Sequence, residues 1–175
     1  PIQTTMKSVY SVLQGEGETS PFYQFFNLCQ IDADLLTRAG VADSVKKQED
    51  KDTEIEKYTV FTSSQNGLTD NVRFFNSFRY TVYVPTNEAV LDAIDHGLPT
   101  WAQISEAEVQ SATDAGASEE EILALTRKYK FKAQAMITCL VNFLKYHFQD
   151  NSIFADHNAV EATKYETACI NDETN

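Results

Sequence analysis

The sequence predicts an α+β domain, a helical layer packed on a small twisted mixed β-sheet. Three observations carry that expectation. Residues 80–84 read YTVYV, an aromatic and β-branched run that is the strongest strand signal in the chain. Pro85-Thr86-Asn87 follows and turns at once into a helical pattern. Farther on, Ser118 and Glu121 have the spacing of a capping box, and a long helix with one apolar face comes after them.

Residues 1–16 are mixed in character and read as a linker or inter-domain segment carrying one short element, which leaves 17–175 as the domain. Ser20 suits an N-cap and Pro21 the first helical position, where a missing N–H costs nothing. Phe22, Phe25, Phe26 and Cys29 then share one helical face. A second short helix is expected over 33–39, with Gly40 placed to end it. Residues 43–57 alternate in charge and have few apolar anchors, so a solvated helix and a mobile loop both fit. Tyr58 to Phe61 and Val72 to Phe75 are short strand candidates, separated by the turn dipeptide Asn66-Gly67.

Tyr80 to Val84 is apolar or β-branched on both faces, which predicts a central strand buried on both sides. Pro85 cannot donate to a ladder and ends it. Thr86 or Asn87 can cap the next helix, and Glu88 in its first turn suits the helix dipole. Ala89, Val90, Ala93 and Ile94 give that helix an apolar face, with Gly97 as its exit. Thr100 with Gln103 predicts a capped turn holding Trp101, and Ser105 with Glu108 a separate short helix. In the long helix, Ile122, Leu125, Tyr129, Ala133, Met136, Ile137, Leu140, Val141 and Leu144 form the buried stripe, with room for a kink near Lys130. Phe154 and residues 162–170 read as extended segments.

Composition narrows the function classes. Acids outnumber bases 26 to 14, for a formal net charge of −12. Such a chain repels phosphate backbones and anionic bilayers, so neither nucleic acid nor a membrane surface is expected as partner. No run is long and apolar enough for direct membrane insertion. The cysteines, Cys29, Cys139 and Cys169, are odd in number and contain no CxxC, which supports neither a disulfide framework nor a zinc cluster. Cys29 and Cys139 sit among apolar residues and read as small core residues.

The residues of the strand-to-helix switch carry a resemblance. Thr81, Val82, Pro85, Thr86, Asn87 and Ala89 match the Thr-Val-Phe-Ala-Pro-Thr-Asn-x-Ala-Phe motif of the fasciclin-like domain family, with Tyr83, Val84 and Val90 where the motif has Phe, Ala and Phe. Tyr146-His147, preceded by Leu144, matches the family's Tyr-His element at the end of a helical region. The chain thus resembles fasciclin-like domains, of the bacterial surface-protein type, over residues 17–160. The family's closing motif, Asn-Gly-x-x-His-x-Ile-Asp, has no match, so the C-terminal strands are expected to be missing and supplied by a complementing segment.

The resemblance implies a fasciclin-like fold and an extracellular or cell-surface setting. It implies a non-catalytic adhesion or protein/glycan-binding module of a larger surface protein, with a neighbouring fasciclin-like domain as a further partner. It places binding at Tyr146 and His147, gives the Thr81–Ala89 motif a structural role, and calls for no cofactor and no metal.

The residues themselves offer little chemistry to set against this. His96, His147 and His157 fit no ligand spacing. Cys139 and His147 are eight positions apart on one helix, about 12 Å along the axis, too far for a nucleophile pair. Residues 15–19, GEGET, lack the Lys of a phosphate loop, and Asp32-Ala-Asp34 does not continue as a calcium loop. The alternative is a small-ligand-binding or hydrolytic domain with a pocket near His147 and Asp156. A His at a helix end more simply serves the last carbonyls.

Overall fold

The structure, a computed structural model, describes residues 8–61, 80–109, 118–150 and 167, with backbone only at 107–109, 122 and 125. Among them the chain is mostly helical, with one small antiparallel sheet. The helices are α1 (Val9–Gln14), α2 (Tyr23–Leu28), α3 (Ala33–Arg38), α4 (Gln48–Glu56), α5 (Asn87–Asp95), α6 (Trp101–Val109) and α7 (Glu119–Tyr146). The strands are β1 (Thr81–Val82) and β2 (Phe148–Gln149). The class agrees with the α+β expectation at that coarse level.

Helix α7 organises the domain. The capping box is complete: Ser118 Oγ accepts from Glu121 N–H, and the Glu121 carboxylate accepts from Ser118 N–H at 2.8 Å. The helix runs 28 residues without the break considered near Lys130. Ala133, Ile137, Leu140, Val141 and Leu144 are buried on its inner stripe. The predicted contributions of Ile122 and Leu125 lie outside the described side chains. The same core holds Phe25 and Leu28 from α2, Leu35 and Leu36 from α3, Val90 from α5 and Ile104 from α6. The short element expected within residues 1–16 is α1, and its Leu13 is buried in the same core.

Much of the core is aromatic. Phe148 is fully buried, and the rings it touches include Phe61 at 5.8 Å, Phe25 at 6.2 Å and Tyr80 at 6.3 Å between centroids. Rings at these separations contribute about 0.5–1.5 kcal/mol per pair beyond their buried area.

Three helix ends are closed by side chains from other helices. A helix leaves its first N–H and last C=O groups without internal partners. The Asn87 Oδ1 accepts from Gln24 N–H at 2.9 Å, in the first turn of α2. At the other end of α2, the Trp101 indole N–H donates to the Leu28 carbonyl at 2.7 Å. Gln134 Nε2 donates to the Ala39 and Gly40 carbonyls at 2.9 and 3.1 Å, closing α3. Gly40 is demanded by the backbone at that junction. Its φ is +74°, and a Cβ would lie 2.5 Å from the Asp43 carboxylate, which Lys130 holds at 2.9 Å.

Several expectations are corrected. The strand at 80–84 shrinks to Thr81–Val82, half-buried and paired with β2 alone among the described residues, and Tyr83 is 47% exposed. The segment therefore borders the core rather than crossing it. Tyr58 to Phe61 forms bends and a single bridge, because Val60 and Phe61 turn into the core and break the alternation a strand requires. Helix α2 starts at Tyr23: Ser20 Oγ accepts from Phe22 N–H, making a turn around Pro21 instead of an N-cap. Ser105 and Glu108 start no new helix but lie inside α6, whose N-terminus the Thr100–Gln103 box already closes. Cys139 is exposed rather than core, and Ala89 is exposed while Val90 is buried. The candidates Asn66-Gly67, 72–75, Phe154 and 162–170 lie outside the described residues.

Candidate functional site

The two motif segments meet in the sheet. β1 and β2 pair antiparallel with Thr81 opposite Gln149 and Val82 opposite Phe148. The ladder extends one step, since Tyr83 N–H donates to the His147 carbonyl at 2.8 Å. The Tyr83 hydroxyl donates to Gln149 Oε1 at 2.7 Å, giving that buried amide a partner. The ladder stops at Tyr83, two residues before Pro85, and Thr86 Oγ1 accepts from Ala89 N–H at 3.3 Å as the N-cap of α5.

Asn87 is tied to the start of α2 by three bonds. Beside the Gln24 contact, its Nδ2 donates to the Ser20 carbonyl at 2.8 Å and its backbone N–H to the Pro21 carbonyl at 3.1 Å. The Thr-Asn pair thus splits its duties: Thr86 serves its own helix and Asn87 serves another. Thr81, Val82, Pro85, Thr86 and Asn87 accordingly carry architecture.

His147 closes α7. Its N–H bonds the Leu144 carbonyl at 3.0 Å, and its Nδ1 meets the Phe143 carbonyl at 2.8 Å. A carbonyl only accepts, so Nδ1–H is the donor in this bond. The ring lies 4.6 Å from Phe143 and 5.4 Å from Phe25 between centroids. Tyr146 is placed differently. It is 65% exposed, the last residue of α7, with its ring edge-on to His147. One member of the pair is held in the fold and the other is presented to solvent.

Asp156, the proposed companion of His147, lies outside the described residues. Among those described, no group of three His, Cys, Asp or Glu side chains is placed to hold a metal ion. Burial pushes the Cys29 thiol well above its ordinary pKa, which suppresses the thiolate.

A groove absent from the sequence reading opens between α7 and the turn joining α5 to α6. Its volume is about 650 Å³, and Ile94, Leu98, Pro99, Met136, Gln103 and Cys139 are among the residues lining it. The exposure of Cys139 is explained by this groove. Its one sequence signal is Gly97-Leu98-Pro99, an apolar turn facing the long helix.

No family model, curated protein or solved structure matches the chain. No helix among the described residues is long and apolar enough to cross a membrane.

Proposed function

We propose that this chain is a non-catalytic binding module of the fasciclin-like type, which engages a protein or glycan partner at a cell surface through the end of α7 carrying Tyr146. The observation that supports the reading most is the pairing of β1 with β2, which sets the Thr81–Ala89 motif beside Tyr146-His147 in one unit. Two motifs recognised 60 positions apart become neighbours, as a shared architecture would require. The division of labour between the two residues also supports it. His147 is engaged with Phe143 and Phe25, while Tyr146 offers an exposed aromatic face with a polar tip, a side chain suited to contacts with proteins and sugars.

Solid-phase binding of the full chain to extracellular matrix proteins and to glycan arrays tests the reading. Tyr146→Ala is expected to lower capture at least tenfold while leaving the melting temperature unchanged. Binding that survives this substitution, or hydrolytic turnover that depends on His147, would refute the proposal.

A further inference from the structure

The outer face of α7 carries an ordered arrangement of charge. Four of the 14 basic residues of this acidic chain fall between positions 127 and 132: Arg127, Lys128, Lys130 and Lys132. Lys130 turns back to Asp43, but Arg127, Lys128 and Lys132 are exposed, with no ion pair seen among the described residues. Phe131 stands among them at 70% exposure, the highest of the large apolar side chains described. Two turns earlier the same helix begins with the exposed acids Glu119, Glu120 and Glu121. At 100° per residue, Glu120, Ala124, Lys128 and Phe131 lie on the side turned away from buried Ala133, Ile137, Leu140 and Leu144, with Arg127 and Lys132 flanking them.

We infer that this face of α7 is a self-association surface, occupied by the same face of a second copy running antiparallel. The order of charges decides the occupant. Acids come first, Ala124 sits in the middle, and bases with Phe131 come last. An acidic partner of another kind would be drawn to Arg127, Lys128 and Lys132 but would meet like charge at Glu119 to Glu121. A second copy laid antiparallel about a two-fold axis between Ala124 and Arg127 meets neither conflict. It sets Glu120 of each copy beside Phe131, Lys128 and Lys132 of the other, and the symmetry makes the contact twice.

Phe131 supplies most of the apolar area, on the order of 150–250 Å² for a buried aromatic. The ion pairs, individually weak at a surface, set direction and register. The contact spans about 20 Å of helix, a small interface. A concentration-dependent dimer in exchange with monomer is therefore expected.

Sedimentation velocity of the full chain across a wide concentration range tests the inference. The wild type should shift from monomer to dimer as concentration rises. Phe131→Ser and the pair Lys128→Glu with Lys132→Glu should each weaken dimerisation at least tenfold. Adding Glu120→Lys to the latter pair should restore it, which loss of folding could not mimic. Circular dichroism should give the same helix content for every variant. A monomer at all concentrations, or a dimer indifferent to these substitutions, would overturn the inference. Stoichiometric capture of an acidic peptide by a persistently monomeric chain would overturn it as well.

Discussion

Asn87 caps a helix that is not its own: its Oδ1 accepts the N–H of Gln24, 63 positions earlier, at 2.9 Å. Its Nδ2 simultaneously donates to the Ser20 carbonyl at 2.8 Å, so both ends of one amide are used. Asn87→Ala removes both bonds at a part-buried site and is expected to cost about 1–3 kcal/mol in chemical denaturation. Asn87→Asp keeps the acceptor but puts a carboxylate oxygen where the donor stood, facing the Ser20 carbonyl. It should therefore recover only part of the loss. An Asp variant as stable as wild type would show that the Ser20 bond contributes nothing.

His147 and Tyr146 should separate in their effects on stability. His147→Ala removes the Nδ1 contact with the Phe143 carbonyl and the packing on Phe25. A loss of about 1–3 kcal/mol is expected. Tyr146→Ala, at an exposed position, should stay within about 0.5 kcal/mol of wild type. Paired urea titrations check this; equal losses for the two would contradict the division of roles.

The capping box of α7 sets a pH dependence. Ser118, through its backbone N–H and its hydroxyl, holds the Glu121 carboxyl below its ordinary pKa. A depressed folded pKa contributes stability that is fully present above the unfolded value, about 4.3, and is lost as pH falls through the folded one. The first turn of α7 should therefore fray at acid pH, detectable as faster amide exchange near Ser118 and Glu121. Glu121→Gln should remove this local dependence, since it keeps an acceptor but does not titrate.

The two described cysteines should differ in reactivity. Cys29 is buried with its thiol pKa pushed up, whereas Cys139 is exposed beside the groove. Native alkylation with iodoacetamide at pH 8, followed by peptide mapping, is expected to label Cys139 and spare Cys29. Cys29 should react only after unfolding. Equal labelling of both under native conditions would mean that the α2 region opens on the timescale of the reaction.

Much of the fold was legible wherever a structural decision is local. Thr86 as a cap, Gly40 and Gly97 as helix exits, and the boxes at Thr100 and Ser118 each depend on partners within about four residues. The stripe from Ala133 to Leu144 was legible for a similar reason, since helical periodicity writes one buried face into the order of residues. The candidate pair Tyr146-His147 could be found as a motif, yet no pattern in the chain says which of the two is exposed.

Tertiary structure decided what depends on distant partners. Whether Asn87 caps α5 or α2 is settled by the approach of α2, because an amide takes whichever unpaired N–H is nearest and best aligned. Trp101 and Gln134 close the ends of α2 and α3 by the same rule, across 73 and 95 positions. The composition of residues 80–84 describes side chains that suit a sheet, while the length of β1 depends on how much of β2 lies alongside. Cys139 sits in an apolar stretch of sequence but faces a groove, because burial is set by what packs opposite a residue and not by its neighbours along the chain.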